Sequence, residues 1–149
     1  MLSNLGNILL FINVFLSVLI IYFASQNIKT SGNSISKTIY QTTLLQTTLI
    51  FGCFFTLVAA FITSDFSLIN VFENSHTSKP LLYKISGSWG NHEGSLMLWV
   101  IILTIFSFFF LINNKTHPKN YRLFTLIFQN IIILGFLSFI LFNSNPFTL

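Results

Sequence analysis

Residues 44–62 read LLQTTLIFGCFFTLVAAFI, and no charged side chain occurs anywhere between Lys37 and Asp65. An α-helix rises about 1.5 Å per residue, so roughly 20 apolar residues cross a hydrocarbon core about 30 Å thick. The run is apolar all round, as suits a helix surrounded by lipid and other helices. Residues 5–24, 95–112 and 123–142 have the same character. Together they predict an all-α, polytopic membrane protein. It would be a single membrane domain over residues 1–149, with four transmembrane helices.

The composition agrees. The chain has 149 residues, 53% hydrophobic, 17% aromatic and only 7% charged. Soluble domains carry roughly 25% charged residues, so a water-soluble enzyme is excluded, and a disordered chain would need the opposite bias. The net charge of +4 rests on 7 Lys and Arg against 3 Asp and Glu. A nucleic-acid binder would cluster its cations on one face; these are scattered between apolar runs, so no nucleic-acid partner is expected. The single cysteine, Cys53, lies within an apolar run and cannot form an internal disulfide; no C-x-x-C pair exists to hold a metal. Nineteen Phe, many Ile and Asn and few Ala match the AT-rich coding bias of organellar genomes.

The cations carry the topology. No basic region precedes the first span, so it is expected to be retained and not cleaved as a signal peptide. The first loop, residues 25–43, carries Lys29 and Lys37, and the third, residues 113–122, carries Lys115, Lys119 and Arg122; neither holds an acid. The second loop, residues 63–94, carries Lys79 and Lys84 against Asp65, Glu73 and Glu93. The positive-inside rule then puts loops one and three on the cytoplasmic or matrix side. Both termini and the second loop face the periplasm or intermembrane space.

That second loop is the long one, and its latter half is rich in chemistry: Ser78-Lys79-Pro80-Leu81-Leu82-Tyr83-Lys84-Ile85-Ser86-Gly87-Ser88-Trp89-Gly90-Asn91-His92-Glu93-Gly94-Ser95. Pro80 suits a first helical turn, with Ser78 as cap. Leu81, Leu82, Ile85 and Trp89 share one face, so a short interfacial helix is expected, ended by Gly87 and Gly90. Each residue after it has an ordinary reading. Trp89 suits an interfacial anchor, Glu93 the positive end of the third span, and Asn91 and Ser95 capping. Gly90 and Gly94 match G-x-x-x-G in form, but His92 and Glu93 between them argue against a helix-dimer stripe. Packed together, Trp89, Gly90, His92, Glu93 and Gly94 are the candidate site; no catalytic residue and no metal ligand is assigned. His76 and His117 read as solvated loop, and Met97 and Trp99 as packing. Gln129 and Asn130 are polar groups in hydrocarbon, bonded either to partner helices or within the four spans.

The string Pro80-Leu81-Leu82-Tyr83-Lys84-Ile85-Ser86, followed by Trp89-Gly90-Asn91-His92-Glu93-Gly94-Ser95-Leu96-Met97-Leu98-Trp99, resembles the W-G-x-H-E-G-S-L-x-L-W segment of the CcmF family. CcmF is the large membrane subunit of the cytochrome c haem lyase of the Ccm maturation system. Leu5-Gly6-Asn7, Asp65-Phe66-Ser67, Asn74-Ser75 and Leu141-Phe142-Asn143-Ser144-Asn145-Pro146-Phe147 support the resemblance over essentially the whole chain. A complete CcmF is several times longer, and its WWD segment and haem-ligating histidines lie downstream of the matched region. The resemblance therefore implies the N-terminal piece of a divided, mitochondrial-type CcmF. His76, His92 and His117 inherit no axial-ligand role, and the ligands of a b-type haem are expected on the downstream part.

The implied function is to help bind and position haem at the outer membrane face for covalent attachment to apocytochrome c. The implied partners are the remaining CcmF polypeptide or polypeptides, CcmH, haem-loaded CcmE, apocytochrome c and membrane lipid. Such a piece is not expected to be active alone. The implied location is the mitochondrial inner membrane, multi-pass, with the bacterial plasma membrane as the alternative. A small organelle-encoded structural subunit of a respiratory complex is the other reading that composition and topology allow. The polar, glycine-rich bend of the second loop discriminates against it.

Overall fold

The computed structural model describes residues 1–32, 34–113 and 116–149; Lys115, counted above among the third-loop cations, lies outside the described residues. Six helices follow in order: α1 (Leu2–Lys29), α2 (Lys37–Thr63), α3 (Ile69–Asn74), α4 (Leu81–Gly87), α5 (His92–Asn113) and α6 (Lys119–Asn143). Among the described residues there is no strand. The four long helices are each long and apolar enough to cross a bilayer. Short links at residues 30–36 and 114–118 make α1/α2 and α5/α6 antiparallel pairs. α1 packs against α2 and α6, and α5 against the same two, so the four close into a square.

All four run past the predicted apolar bounds. α1 has 28 residues, roughly 42 Å of helix, more than the hydrocarbon core needs. Its extra turns are polar (Ser25, Gln26, Asn27, Lys29), and backbone bonding continues through them into the headgroup layer. The expected first loop of residues 25–43 thus shrinks to residues 30–36, and Lys29 and Lys37 sit on helix ends. Ser36 caps α2, accepting a bond from the Thr38 N–H at 3.3 Å.

The bundle interior is layered. One apolar cluster includes Leu10, Ile50, Phe61, Met97, Val100 and Ile133. A second, nearer the link-bearing end, comprises Ile20, Ala24, Ile39, Leu111, Leu123 and Leu126. Between them every long helix contributes buried polar side chains: Asn13 and Ser17 from α1, Thr43, Gln46 and Thr47 from α2, Thr104 and Ser107 from α5, Asn130 from α6. Three bonds in this region cross between helices. Gln46 Nε2 donates to Ser17 Oγ at 2.6 Å, Thr47 Oγ1 to the Thr104 carbonyl at 3.3 Å, and Gln129 Nε2 to the Leu103 carbonyl at 3.0 Å. Gln129 thus bonds within the four spans, one of the two alternatives. Asn130 Nδ2 donates to Leu126 on its own helix, while its Oδ1, with Asn13 Oδ1 and Gln46 Oε1, has no protein partner.

The end that carries both termini also carries α3 and α4. α2 stops at Ser64, the one described non-glycine residue with positive φ (54°). Its N–H bonds the Phe61 carbonyl and that of Asp65 bonds Ala60, a Schellman arrangement that closes the last turn. α3 was not foreseen in the loop. α4 occupies the predicted place, but Ser78 does not cap it: the Ser78 hydroxyl lies 2.9 Å from His76 Nδ1, and the capping position falls to Pro80 without a side-chain bond. The chain's last residues fold back over this end. Phe147 is fully buried in the first apolar cluster. A Cβ on Gly6 would lie 2.4 Å from its ring, so only glycine leaves room. Ser3 Oγ donates to the Phe147 carbonyl (2.7 Å), Asn145 Nδ2 to Asn7 Oδ1 (2.7 Å) and the Ile69 N–H to the Thr148 carbonyl (3.1 Å).

Ser17→Ala strands the buried Gln46 amide, and it is expected to lower the free energy of unfolding in mixed SDS micelles by about 1 kcal/mol. Ser25→Ala, whose hydroxyl bonds only back to Ile21 of the same helix, is expected to shift it far less. Equal midpoints for the two variants would show that the polar layer does not hold the helices together.

Candidate functional site

The candidate residues sit where α4 hands over to α5. α4 lies on α2: Lys84 Nζ donates to Ser64 Oγ at 2.6 Å, and a Cβ on Gly87 would lie 3.4 Å from the Phe61 ring. Past Gly87 the backbone coils once more, with the N–H groups of Trp89 and Gly90 both bonded to the Ser86 carbonyl. Ser88 is fully buried, its hydroxyl bonded to Ile85 at 2.7 Å.

Asn91 joins the two helices with both arms of its amide. Its Nδ2 donates to the Gly87 carbonyl at 2.9 Å, and its Oδ1 accepts from the Gly94 N–H at 2.7 Å. The second bond caps α5, as the sequence led us to expect. Ser95 does not cap; its hydroxyl bonds back to the His92 carbonyl. Glu93 lies in the first turn of α5, where the helix dipole favours an anion.

Gly94 is there for a reason the sequence does not display. A Cβ on it would fall 1.8 Å from the Ser88 carbonyl oxygen and 3.0 Å from Trp89 Cα. The backbone of the bend thus lies directly on the first turn of α5, and a side chain at Gly94 would push the two apart. Gly90 is tight to a lesser degree, with Ser86 O 3.1 Å from its Cβ position. The tight bend turns Trp89 back towards α2, where its indole stacks on Phe54 at a centroid distance of 6.3 Å and 30° between planes. Trp89 is still 39% exposed. His92 is exposed on the first turn of α5, and its ring makes no hydrogen bond among the described residues. The five candidates therefore sit on one continuous turn, with an aromatic wall and a free imidazole at the surface.

The other sequence candidates lie elsewhere. Met97 is buried in the core and Trp99 is exposed on the outside of α5. His117 stacks obliquely on Tyr121 at the opposite end, ring centroids 5.3 Å apart. His76 lines a mostly apolar hollow of about 270 Å³ with Phe66, Phe72, Ser75 and Thr77. His76 is an exposed loop residue, as its sequence reading expects; the hollow beside it was not legible, because α3, which supplies Phe72, is too short to show a period. Among the described residues no three His, Cys, Asp or Glu side chains come together as metal ligands. What the bend offers is a flat aromatic wall, Trp89 backed by Phe54, with the exposed His92 beside it.

No family model matches the chain. It is 51% identical over 104 residues to the cytochrome c-type biogenesis protein ccl1 of Rhodobacter capsulatus, covering 70% of this chain and 16% of that protein. To the cytochrome c-type biogenesis protein CcmF of Haemophilus influenzae it is 34% identical over 155 residues, covering 99% of this chain and 23% of that protein. For CcmF of Escherichia coli the identity is 40% over 97 residues, with 65% and 15% covered. Its fold matches a solved structure titled Cytochrome c Heme Lyase CcmF with a TM-score of 0.88 at 22% identity, over 99% of this chain and 25% of that one. The chain thus spans between 15% and 23% of the length of these curated relatives.

Gly94→Ala is expected to destabilise the protein by about 3 kcal/mol through overpacking and to make the bend susceptible to protease. Gly135→Ala, where the added methyl meets nothing within 4 Å, is expected to be neutral or slightly stabilising. Comparable stability of the two variants in micelles would contradict the close approach of Ser88.

Proposed function

We propose, from its similarity to the CcmF cytochrome c biogenesis proteins, that this chain is the N-terminal part of a cytochrome c haem lyase. Its role is to help hold haem, as substrate, at the outer membrane face while haem is joined to apocytochrome c. The relatives favour this over a structural respiratory subunit. The observation that carries it is the bend from Trp89 to Gly94. Asn91 and Gly94 fix its backbone, Phe54 backs its indole, and the His92 ring is left unbonded at the membrane surface.

Haem brings vinyl groups to which thiols of a C-x-x-C-H segment can add, and carboxylate side arms that need cationic or N–H partners. The residues here supply positioning alone. Trp89 presents a flat apolar face, backed so that it does not swing. The His92 ring offers an N–H to a propionate. Gly94 sets the angle at which that turn meets α5, and Glu93 complements the positive end of that helix. A b-type haem's iron ligands come from the remaining CcmF polypeptide or polypeptides, with CcmH, haem-loaded CcmE and apocytochrome c as the further partners. On this reading the protein resides in the mitochondrial inner membrane, or in the plasma membrane of a bacterium. The termini-bearing end faces the intermembrane space or periplasm. The charge distribution supports that orientation: Lys29, Lys37, Lys119 and Arg122 lie at the opposite end, against Lys79 and Lys84 at this one, whose charge Asp65, Glu73 and Glu93 offset.

His92→Ala is expected to lower holocytochrome c yield about tenfold, the effect of losing one charge-assisted hydrogen bond, with assembly of the complex unchanged. His92→Gln restores part of it. Full yield in His92→Ala would remove the role, and loss of assembly in both variants would make His92 a structural residue.

Orientation is tested separately. In a Cys53→Ala background, a membrane-impermeant maleimide applied from outside is expected to label Ser78→Cys and to spare Ser31→Cys. The reverse pattern would overturn the haem-handling role.

A further inference from the structure

The opposite end of the bundle holds a second concave site, independent of the haem reading. A cavity of about 340 Å³ opens between the end of α1 and the start of α6, lined in part by Ile28, Lys29, Thr30, Gly32, Pro118 and Lys119. Its chemistry is cationic. Lys119 is only 8% exposed, and its ammonium donates to the carbonyls of Thr30 (3.0 Å) and Gly32 (2.7 Å), with no partner for its third N–H among the described residues. Lys29 is exposed in the last turn of α1. α6 starts after Pro118 with no side-chain cap, so the N–H groups of its first turn point out unsatisfied by any side chain.

One turn further along α6, on the same face as Lys119, lies Arg122. Its guanidinium is 6% exposed and bonds to Tyr40 and to the Leu111 carbonyl, while its Nε is buried without a partner. The three acids of the chain lie at the other end of the bundle. Among the described residues the buried Lys119 and Arg122 are therefore compensated by carbonyl and hydroxyl dipoles alone, which costs desolvation without a counter-charge.

We propose that this cavity binds the phosphate of an acidic phospholipid headgroup in the adjoining leaflet. The ligand class follows from the lining: two lysines and the uncapped first turn of α6 border the cavity, donors that suit an anion with several acceptor oxygens. The lipid source follows from the place. The cavity sits at the rim of the bundle, where α1 and α6 leave the hydrocarbon. On its outer face, turned away from Lys119, the same first half of α6 exposes Tyr121, Phe124 and Phe128, an apolar surface suited to acyl chains. A bound headgroup supplies the charge that the protein lacks and ties the α1–α6 seam to the bilayer.

The test reconstitutes the full chain in phosphatidylcholine vesicles and compares spin-labelled phosphatidylglycerol with spin-labelled phosphatidylcholine by the motionally restricted fraction. The expected result is a preference for phosphatidylglycerol that weakens with salt and falls about fivefold in Lys29→Gln, the effect of one cation at the surface. Lys29 is exposed, so this variant folds whether or not Lys119→Gln does. Lys79→Gln, which removes an exposed cation from the other end, is expected to leave the preference intact. Three outcomes would overturn the proposal: no preference in the parent chain, an equal fall in Lys79→Gln, or release of the labelled lipid by inorganic phosphate, which would mark a site for soluble anions.

Discussion

In a bilayer, water is not available to satisfy a stray amide, and apolar surfaces gain little by leaving lipid for one another. Helices that are apolar all round therefore have no strong preference for one vertical register over another. In this bundle the register is set by the polar layer at mid-depth. The Gln46 amide must find Ser17, the Thr47 hydroxyl reaches the Thr104 carbonyl, and Gln129 reaches Leu103. Once those heights are fixed, Gly6 comes level with Phe147, Gly87 with Phe61, and the first turn of α5 with the Ser88 carbonyl. The fit at the termini-bearing end is thus a downstream effect of bonds made deep in the membrane.

The geometry at that end gives the short bend its character. Loops at membrane surfaces are ordinarily free to move, and a site built on one is imprecise. Here the loop is shortened at both sides: α2 ends in a tight left-handed turn at Ser64, and α5 begins at His92, earlier than its apolar run. What remains is held by α4 on α2 and by the Asn91 amide. The Trp89 ring, stacked on Phe54, and the backbone that carries His92 are consequently tied to the bundle.

How much of this could be read from the sequence depends on the range of the interaction. The four spans were legible because each depends only on a local run of apolar residues. Their ends were not: Ser25 to Lys29 are polar yet continue α1, since a helix in the headgroup layer needs backbone bonds and not apolar side chains. α3 is six residues without a capping side chain, too short to carry a period. Ser78 has the right chemistry and position for a cap, but its hydroxyl is engaged by His76. Asn91 was legible because capping is local. Gly94 could be noticed only as half of a formal G-x-x-x-G pair. Its actual cause, the Ser88 carbonyl, lies six residues away across a bend whose path the sequence does not give. Likewise Leu5-Gly6-Asn7 and Asn145-Pro146-Phe147 could be picked out as family strings, but nothing local says that they touch.

That last contact has a consequence for how the protein is made. Helices enter a membrane in the order of synthesis, so α1 and α2 can pair early through Gln46 and Ser17. The seat on Gly6, however, stays vacant until residue 147 has left the ribosome. Ser3, Asn7 and the start of α3 wait with it for their partners in the tail. Contacts of such long sequence separation form late and slowly. The membrane surface that carries the bend is therefore closed only after the four spans beneath it have been made.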